Sequence, residues 1–254
     1  MDEYILVARG VTKKFGEFIA VNRVDYKLKG GEIACIIGPN GAGKTTLINL
    51  LSGFLLPDEG KIFFKGRDIT YKKPHTRAKI GILRTFQLVS TVPSLTVSEY
   101  LQISLLPKGK GFKNILTYFR FTTMNEDLIY RVKDYLEIFG LDKKIDRKIS
   151  ELSYGEKRKL EILGCVVQDP EVLLLDEPLA GLSEVEADLL LKLIADIHRE
   201  KGLTILIVEH KISKVVPYIN RVSVMAEGKL LIEGKPDEVI NDKMVKKIYW
   251  GVEE

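Results

Sequence analysis

The sequence predicts an α/β protein in which a helical segment interrupts a sheet-forming chain. Three short, mainly apolar runs support this prediction, at 33–37, 172–175 and 203–208, and they are typical of strands buried in a parallel sheet. Between the first and second runs, over about 92–160, apolar residues recur at helical spacing, most clearly over 127–139. The chain therefore has a sheet core and a helical insertion.

The other elements follow from local patterns and their breaks. Glycines bound the run 33–37 on both sides, and a polar connection at 107–125 interrupts the helical part. We expect one composite domain, with an α/β core from 1–87 and 161–254 and a helical insertion at 88–160. The remaining predicted elements are strands at 5–8, 20–28 and 60–66, helices at 44–51 and 185–201, and a hairpin at 221–233 that turns at Glu227-Gly228.

Composition excludes several classes of protein. The 254 residues are 45% apolar, which excludes a disordered chain, and 39 Lys+Arg against 35 Asp+Glu leave a net charge of +4, too small to indicate a nucleic-acid partner. No apolar run approaches the ~18 residues of a membrane span, and the first residues are acidic, unlike a signal peptide. We therefore expect a cytoplasmic protein, with Cys35 and Cys165 as buried free thiols.

A glycine-rich stretch between the strand 33–37 and the helix 44–51 predicts a phosphate-binding loop. It fits the pattern G-x-x-x-x-G-K-[ST] in full, as Gly38-Pro39-Asn40-Gly41-Ala42-Gly43-Lys44-Thr45-Thr46. Glycine permits the positive φ angles with which such a loop turns its N–H groups towards phosphate, and the helix N-terminus adds partial positive charge. We expect Lys44 to contact the β- and γ-phosphates, Thr45 to bind Mg²⁺ and Thr46 to bind the α-phosphate.

Two adjacent carboxylates, Asp176 and Glu177, follow the strand 172–175. Ligands collect at the C-terminal ends of strands in open α/β sheets. We therefore expect Asp176 to contact Mg²⁺, directly or through water. Glu177 is one residue further on and points elsewhere, where it can polarise an attacking water.

A third motif, Leu152-Ser153-Tyr154-Gly155-Glu156-Lys157, precedes a helical pattern. Ser153 and Glu156 form the S-x-x-E capping box that marks a helix start, and Ser153 with the Gly155 N–H would expose a second anion site. Here the chain resembles the ATP-binding-cassette ATPases, whose signature is Leu-Ser-Gly-Gly-Gln. Tyr154 replaces the first glycine and Glu156 the glutamine.

The resemblance implies the P-loop NTPase fold of these ATPases, with an N-terminal antiparallel β subdomain and an inserted α-helical subdomain. It implies that Gln87, which ends an Arg-Thr-Phe-Gln stretch, contacts Mg²⁺ and the attacking water. His210 would hydrogen-bond the γ-phosphate, and Phe15 would stack on adenine. The segment 179–183 would be the D-loop, with Ser183 where the family often has Asp.

The resemblance also implies the cofactors and partners. ATP and Mg²⁺ would bind between two ATP-binding subunits, in a homodimer or a paralogous heterodimer, with the phosphate loop of one facing Ser153 and Gly155 of the other. Transmembrane permease subunits would dock on the surface between Gln87 and Ser153, and a solute-binding protein would act indirectly. The chain would be peripheral, at the cytoplasmic face of the cell membrane, without a nucleic-acid partner.

The solute is the least determined part of the prediction. The Arg-Thr-Phe-Gln stretch, the residues 178–182 and the ending Ile-Tyr-Trp-Gly at 248–251 resemble the ATPase subunits that energise uptake of branched-chain amino acids. ATPases of urea or amide importers and of lipopolysaccharide export are the alternatives within transport. A soluble scaffold ATPase of iron–sulfur cluster assembly is the alternative from another class. Chromosome-structuring ATPases would need a far longer insertion between Lys44 and Ser153.

Overall fold

A computed structural model describes residues 3–85, 92–105, 126–210 and 212–250. The strands are β1 Tyr4–Phe15, β2 Phe18–Lys29, β3 Ile33–Ile37, β4 Glu59–Phe64, β5 Arg67–Asp68, β6 Ile82–Arg84, β7 Val172–Asp176, β8 Thr204–Glu209, β9 Arg221–Ala226 and β10 Lys229–Gly234. The α-helices are α1 Lys44–Ser52, α2 Pro74–Lys79, α3 Val97–Ser104, α4 Glu126–Phe139, α5 Tyr154–Val166, α6 Glu184–Lys201, α7 Ile212–Val215, α8 Pro236–Asn241 and α9 Lys243–Trp250. Short 3₁₀ turns cover Asp142–Lys144, Ile149–Glu151 and Val216–Tyr218. None of these described helices is long and apolar enough to cross a membrane.

The strands form two sheets. Strands β2, β1, β4 and β5 pair in that order as an antiparallel sheet, and the second sheet has the order β10-β9-β3-β8-β7-β6. In the second sheet β6, β7, β8, β3 and β9 are parallel, and β10 is the antiparallel edge strand. The three mainly apolar runs of the sequence form β3, β7 and β8, and the predicted α/β fold with an antiparallel β subdomain is confirmed.

The described residues divide into two compact units, one within 1–84 and 171–254 and the other within 85–170. The first unit contains both sheets. The second contains α3, α4 and α5. The sequence prediction assigned 161–170 to the core, whereas this division places them with the helices, because α5 continues without a break to Val166.

The core of the first unit lies around β3, β8 and α1. All five residues of β3 and all six of β8 are buried, which requires side chains packed on both faces of these strands. Side chains of these strands form one hydrophobic cluster. It also contains Leu47, Ile48 and Leu51 of α1 and residues of the antiparallel sheet. The cluster thereby holds the start of α1 against the ends of the parallel strands.

The second unit is built from helices with local caps. Thr96 starts α3 and Ser153 starts α5, each through a complete capping box with a glutamate three residues later. Gly164 of α5 lies close to the Tyr100 ring of α3, and an added Cβ would meet that ring at 2.7 Å. The predicted connection at 107–125 lies outside the described residues, which resume at 126.

Candidate functional site

The predicted phosphate loop lies between β3 and α1, as the strand–loop–helix pattern required. Gly41 and Gly43 have φ angles of +80° and +98°, so both supply the positive φ expected of this loop. Gly38 has no positive φ and is needed for a different reason: an added Cβ would overlap the carbonyl oxygen of Met225. Gly43 is constrained in both ways, because its Cβ would also overlap the carbonyl oxygen of Ala20.

The loop borders a cavity of about 340 Å³. Its lining combines residues 40–46 of the loop with Glu177 from the end of β7 and with residues of β2, and the full set is Phe18, Ala20, Asn40, Gly41, Ala42, Gly43, Lys44, Thr45, Thr46 and Glu177. An added Cβ on Gly41 would meet nothing within 4 Å, so open space lies above the loop at this point. A cavity of this size, bordered by a glycine-rich loop and by Lys44, fits a polyphosphate.

The aromatic side chain of the cavity is Phe18, which the sequence pattern did not single out. Phe15, the predicted adenine contact, pairs with Phe18 across the turn between β1 and β2 and is not part of the lining. Both rings are exposed, by 49% for Phe15 and 62% for Phe18. Two phenylalanines flanking one tight turn were the available signal that both belong to the same surface.

Lys44 is buried at the start of α1. Its ammonium donates to the carbonyl oxygens of Gly38 at 2.7 Å and Pro39 at 2.9 Å, so the side chain folds back over its own loop. Burial lowers the pKa of Lys44, and the carboxylates of Glu177 and Asp176 oppose this shift. A cation thus lies among the loop carbonyls and near both acidic residues, where a phosphate would gain a strong charge-assisted contact.

Asp176 is the last residue of β7. Its Oδ2 accepts a hydrogen bond from Arg84 Nη2 at 2.8 Å, whereas its Oδ1 is buried and has no hydrogen-bond partner among the described residues. Burial raises the pKa of Asp176, and the Arg84 guanidinium acts against this rise. A carboxylate oxygen left without a partner at the strand end next to the loop fits Mg²⁺, which takes oxygen ligands and keeps several waters.

Glu177 follows Asp176 in a strained backbone conformation. Its φ is +45°, a region that non-glycine residues rarely occupy, and its N–H donates to the carbonyl oxygen of Val208 at 2.9 Å. Strain of this kind persists only where the surrounding structure enforces it, and it concentrates at functional sites. The turn places Glu177 in the cavity lining, whereas Asp176 is not among the lining residues.

His210 follows β8 with its side chain 42% exposed. The residue before it, Glu209, is fully buried and joins two segments: Oε1 accepts from Leu179 N at 2.8 Å and Oε2 accepts from His210 N at 3.2 Å. The carboxylate of Glu209 thereby ties the start of the predicted D-loop to the position of His210. Sequence reasoning assigned no role to Glu209, although an acidic residue at the end of a fully apolar strand was a visible signal.

The signature residues lie in the second unit. Ser153 is exposed, its Oγ accepts from Glu156 N at 3.3 Å, and Glu156 Oε2 accepts from Ser153 N at 3.0 Å, so the predicted capping box is confirmed. Lys144 also pairs with Glu156. Gly155 follows in the first turn of α5, where helix N–H groups have no partner within the helix. Gln87, the predicted Mg²⁺ and water contact, lies outside the described residues.

Comparison with known proteins identifies the family. The ABC transporter family profile matches residues 21–180. The chain is 37% identical over 253 residues to the high-affinity branched-chain amino acid transport ATP-binding protein LivG of Salmonella typhimurium, covering 99% of both chains. It is 36% identical to the probable LivG of Archaeoglobus fulgidus, covering 98% of this chain and 96% of that one.

Solved structures agree with this assignment. A nucleotide-free ATP-binding cassette of an ABC transporter superposes with a TM-score of 0.86 at 34% identity, covering 99% of this chain and 100% of that one. A cassette in its ADP conformation gives a TM-score of 0.87 at 35% identity, covering 98% and 99%. The chain therefore belongs to the ABC transporter family, as one of its subunits that bind and hydrolyse ATP.

Proposed function

We propose that the chain energises import of branched-chain amino acids as the ATPase subunit of an ABC importer. The observation that carries this proposal is similarity over essentially the whole chain to transport ATP-binding proteins named for these solutes. Permease subunits would hold the chain at the cytoplasmic face of the membrane, and a solute-binding protein would deliver the amino acid.

We propose roles for the cavity residues from their chemistry. The Lys44 ammonium leaves the carbonyl oxygens of its own loop and contacts the β- and γ-phosphates. The N–H groups of the loop surround these phosphates, and Thr46 contacts the α-phosphate. Thr45 and Asp176, with Gln87, would hold Mg²⁺, which supplies charge neutralisation at the phosphates. The aromatic contact with adenine would come from Phe15.

Hydrolysis needs a water aligned with the γ-phosphate. The carboxylate of Glu177 accepts a hydrogen bond from this water and takes its proton as the water oxygen bonds to the γ-phosphorus. The bond from that phosphorus to the β,γ-bridging oxygen breaks, and ADP is the leaving group. His210 donates to a γ-phosphate oxygen, and Gln87 contacts the same water. The contribution of these residues is positioning and electrostatic stabilisation, which dominate phosphoryl transfer.

The second half of the site would come from a partner copy. Ser153 Oγ and the Gly155 N–H offer donors for a γ-phosphate, and each chain has one phosphate loop and one signature. Two chains would therefore enclose two nucleotides, and hydrolysis would separate them and move the permeases.

Mixing two inactive variants tests this arrangement. Lys44→Ala removes the phosphate contact of the loop, and Ser153→Asp keeps a good helix cap while it places negative charge where phosphate would bind. Each variant alone should be inactive. An equimolar mixture should recover about a quarter of the parent ATPase rate, because half of randomly formed dimers are mixed and each has one intact site of two. A mixture no faster than its separate components would contradict a site shared between chains.

Uptake measurements test the solute. Cells that lack this chain should lose uptake of radiolabelled leucine, isoleucine and valine, and the wild-type gene should restore uptake while Lys44→Ala should not. Loss of urea uptake with normal leucine uptake would favour the amide importers instead.

A further inference from the structure

Arg84 ends β6 and makes contacts that neither the phosphate loop nor the signature accounts for. Its Nη2 donates to Asp176 Oδ2 at 2.8 Å, and its Nη1 donates to Ser52 Oγ at 3.3 Å and to Asn49 Oδ1. The side chains of Arg84 and Asp176 are only 9% and 18% exposed. A single guanidinium therefore joins β6, β7 and α1.

A buried ion pair of this kind is not explained by stability alone. Removing two charges from water is energetically costly, and well-packed apolar residues often replace such pairs without loss of stability. The planar guanidinium can instead fix the orientation of a carboxylate, since its donors lie in a rigid fork. The Arg84 guanidinium donates to Asp176 and to a side chain of α1 at the same time.

The two oxygens of Asp176 have different environments. Oδ2 is held by Arg84, and Oδ1 is buried without a hydrogen-bond partner among the residues that the structure describes. A buried acceptor left unsatisfied is costly, so this oxygen is expected to meet a ligand when the site is loaded. Arg84 leaves one oxygen for that ligand and prevents the carboxylate from turning.

The contacts with α1 extend this constraint to the phosphate loop. Asn49 and Ser52 lie in the same helix as Thr45, one and two turns further along. Arg84 thus fixes the distance between the helix that carries Thr45 and the strand that carries Asp176. These are the two described residues proposed above to hold Mg²⁺.

We propose that Arg84 is a positioning residue for the metal site: it orients Asp176 and ties it to α1, so that Asp176 Oδ1 and Thr45 are preorganised for hydrated Mg²⁺. This proposal rests on the proposed role of Asp176. Partners that orient a metal-binding carboxylate typically change metal affinity by 10- to 100-fold when they are mutated.

The test measures how Mg²⁺ strengthens binding of a non-hydrolysable ATP analogue, with analogue affinity in EDTA as the baseline. Arg84→Met should leave the EDTA affinity within about twofold and raise the Mg²⁺ concentration for half-maximal enhancement by roughly 10-fold or more. Arg84→Lys should give a smaller shift, because one ammonium cannot reach Asp176 and both α1 partners together. If Arg84→Met does not fold, Arg84→Lys carries the test alone, and parent-like Mg²⁺ dependence in that variant overturns the proposal.

Two further variants separate the possible failures. Arg221→Met breaks another largely buried arginine–carboxylate pair, with Glu32 at 2.6 Å, and should leave Mg²⁺ dependence unchanged. Asp176→Asn should abolish most of the Mg²⁺ enhancement. Loss in Asp176→Asn with parent behaviour in Arg84→Met overturns the role of Arg84 alone, whereas parent behaviour in Asp176→Asn overturns the metal assignment beneath it. A Mg²⁺ shift in Arg221→Met equal to that in Arg84→Met would assign the effect to general destabilisation and also overturn the proposal.

Discussion

The phosphate-loop edge of the first unit and the signature end of the second are built in opposite ways. At the loop edge, charged side chains are buried and held by partners far away in sequence: Arg84 binds Asp176 across 92 residues, and Glu209 binds Leu179 across 30. At the signature end, Ser153 is exposed and its capping bonds join it to Glu156, three residues on. The loop edge is enforced by contacts across the first unit, whereas the signature end is a local helix cap with an exposed serine.

This difference teaches how the two halves can work. In the proposed function the loop edge would hold polyphosphate and metal, which requires fixed charges, and its residues are braced from several strands and from α1. The signature end would engage and release a partner in each cycle, which requires no such bracing. Substitutions that remove long-range bracing should therefore have larger effects than substitutions that remove a local cap.

Arg77 should show the largest effect on stability, because its guanidinium braces the end of α1. The side chain is fully buried and donates five hydrogen bonds to main-chain carbonyls, those of Leu50, Leu51, Ile69, Thr70 and Lys72. Arg77→Met should lower the free energy of unfolding by about 4 kcal/mol, since these buried acceptors lose their donors. Urea titration measures this loss. Arg147→Met, which breaks an exposed pair with Glu151, is the control and should change stability by less than about 1 kcal/mol.

Lys44→Ala should have the next largest effect, on nucleotide binding and not on folding. Loss of a charge-assisted contact with phosphate should weaken ATP binding by about 3 kcal/mol, or roughly a hundredfold. Titration with a fluorescent ATP analogue measures the affinity. Lys61→Ala, at an exposed lysine of β4, should bind as the parent does, and unchanged affinity in Lys44→Ala would contradict the loop assignment.

Glu209→Gln should reduce the ATPase rate with little change in KM. The Glu209 carboxylate accepts hydrogen bonds from the N–H groups of Leu179 and His210. A glutamine has nearly the same volume, but its NH₂ group would face one of these two donors and lose that hydrogen bond. We expect a loss of about 2 kcal/mol, or roughly 30-fold in kcat, as the two segments shift apart. Steady-state kinetics separate kcat from KM. A raised KM with unchanged kcat would show that Glu209 supports binding instead.

The smallest effect should come from the two serine caps, which form a matched pair. Ser153 and Ser183 make capping boxes of the same geometry, each with an Oγ that accepts from the third residue's N–H at 3.3 Å. Both alanine variants should lose about 1 kcal/mol of stability. Ser153→Ala should additionally lower ATPase activity relative to Ser183→Ala. Equal ATPase activity in the two variants would show that Ser153 acts only as a helix cap.

The sequence was sufficient where the physical cause is local. Short, mainly apolar runs predicted β3, β7 and β8, and the Ser153–Glu156 spacing predicted the start of α5. The hairpin at Glu227-Gly228 was also predicted, and both residues have positive φ. Such features depend on residues a few positions apart, which a pattern can register.

The sequence was insufficient where distant segments meet. No pattern indicates that Arg84 reaches Asp176 or that Gly38 is required by close approach to Met225. The boundary at 160–161 divided a helix that runs to Val166, because a helical pattern does not show to which unit a helix packs. The roles of Phe15 and Gln87 stay predictions.

The mass of Glu177→Gln in solution with Mg²⁺ and ATP tests the central claim, that nucleotide is enclosed between two copies. This substitution retains the loop contacts while it removes the carboxylate that would take the proton from water, so ATP should bind and persist. Light scattering should then give twice 28.7 kDa with ATP and 28.7 kDa with ADP. A mass of 28.7 kDa at saturating ATP, with bound nucleotide demonstrated in the same sample, would contradict the account.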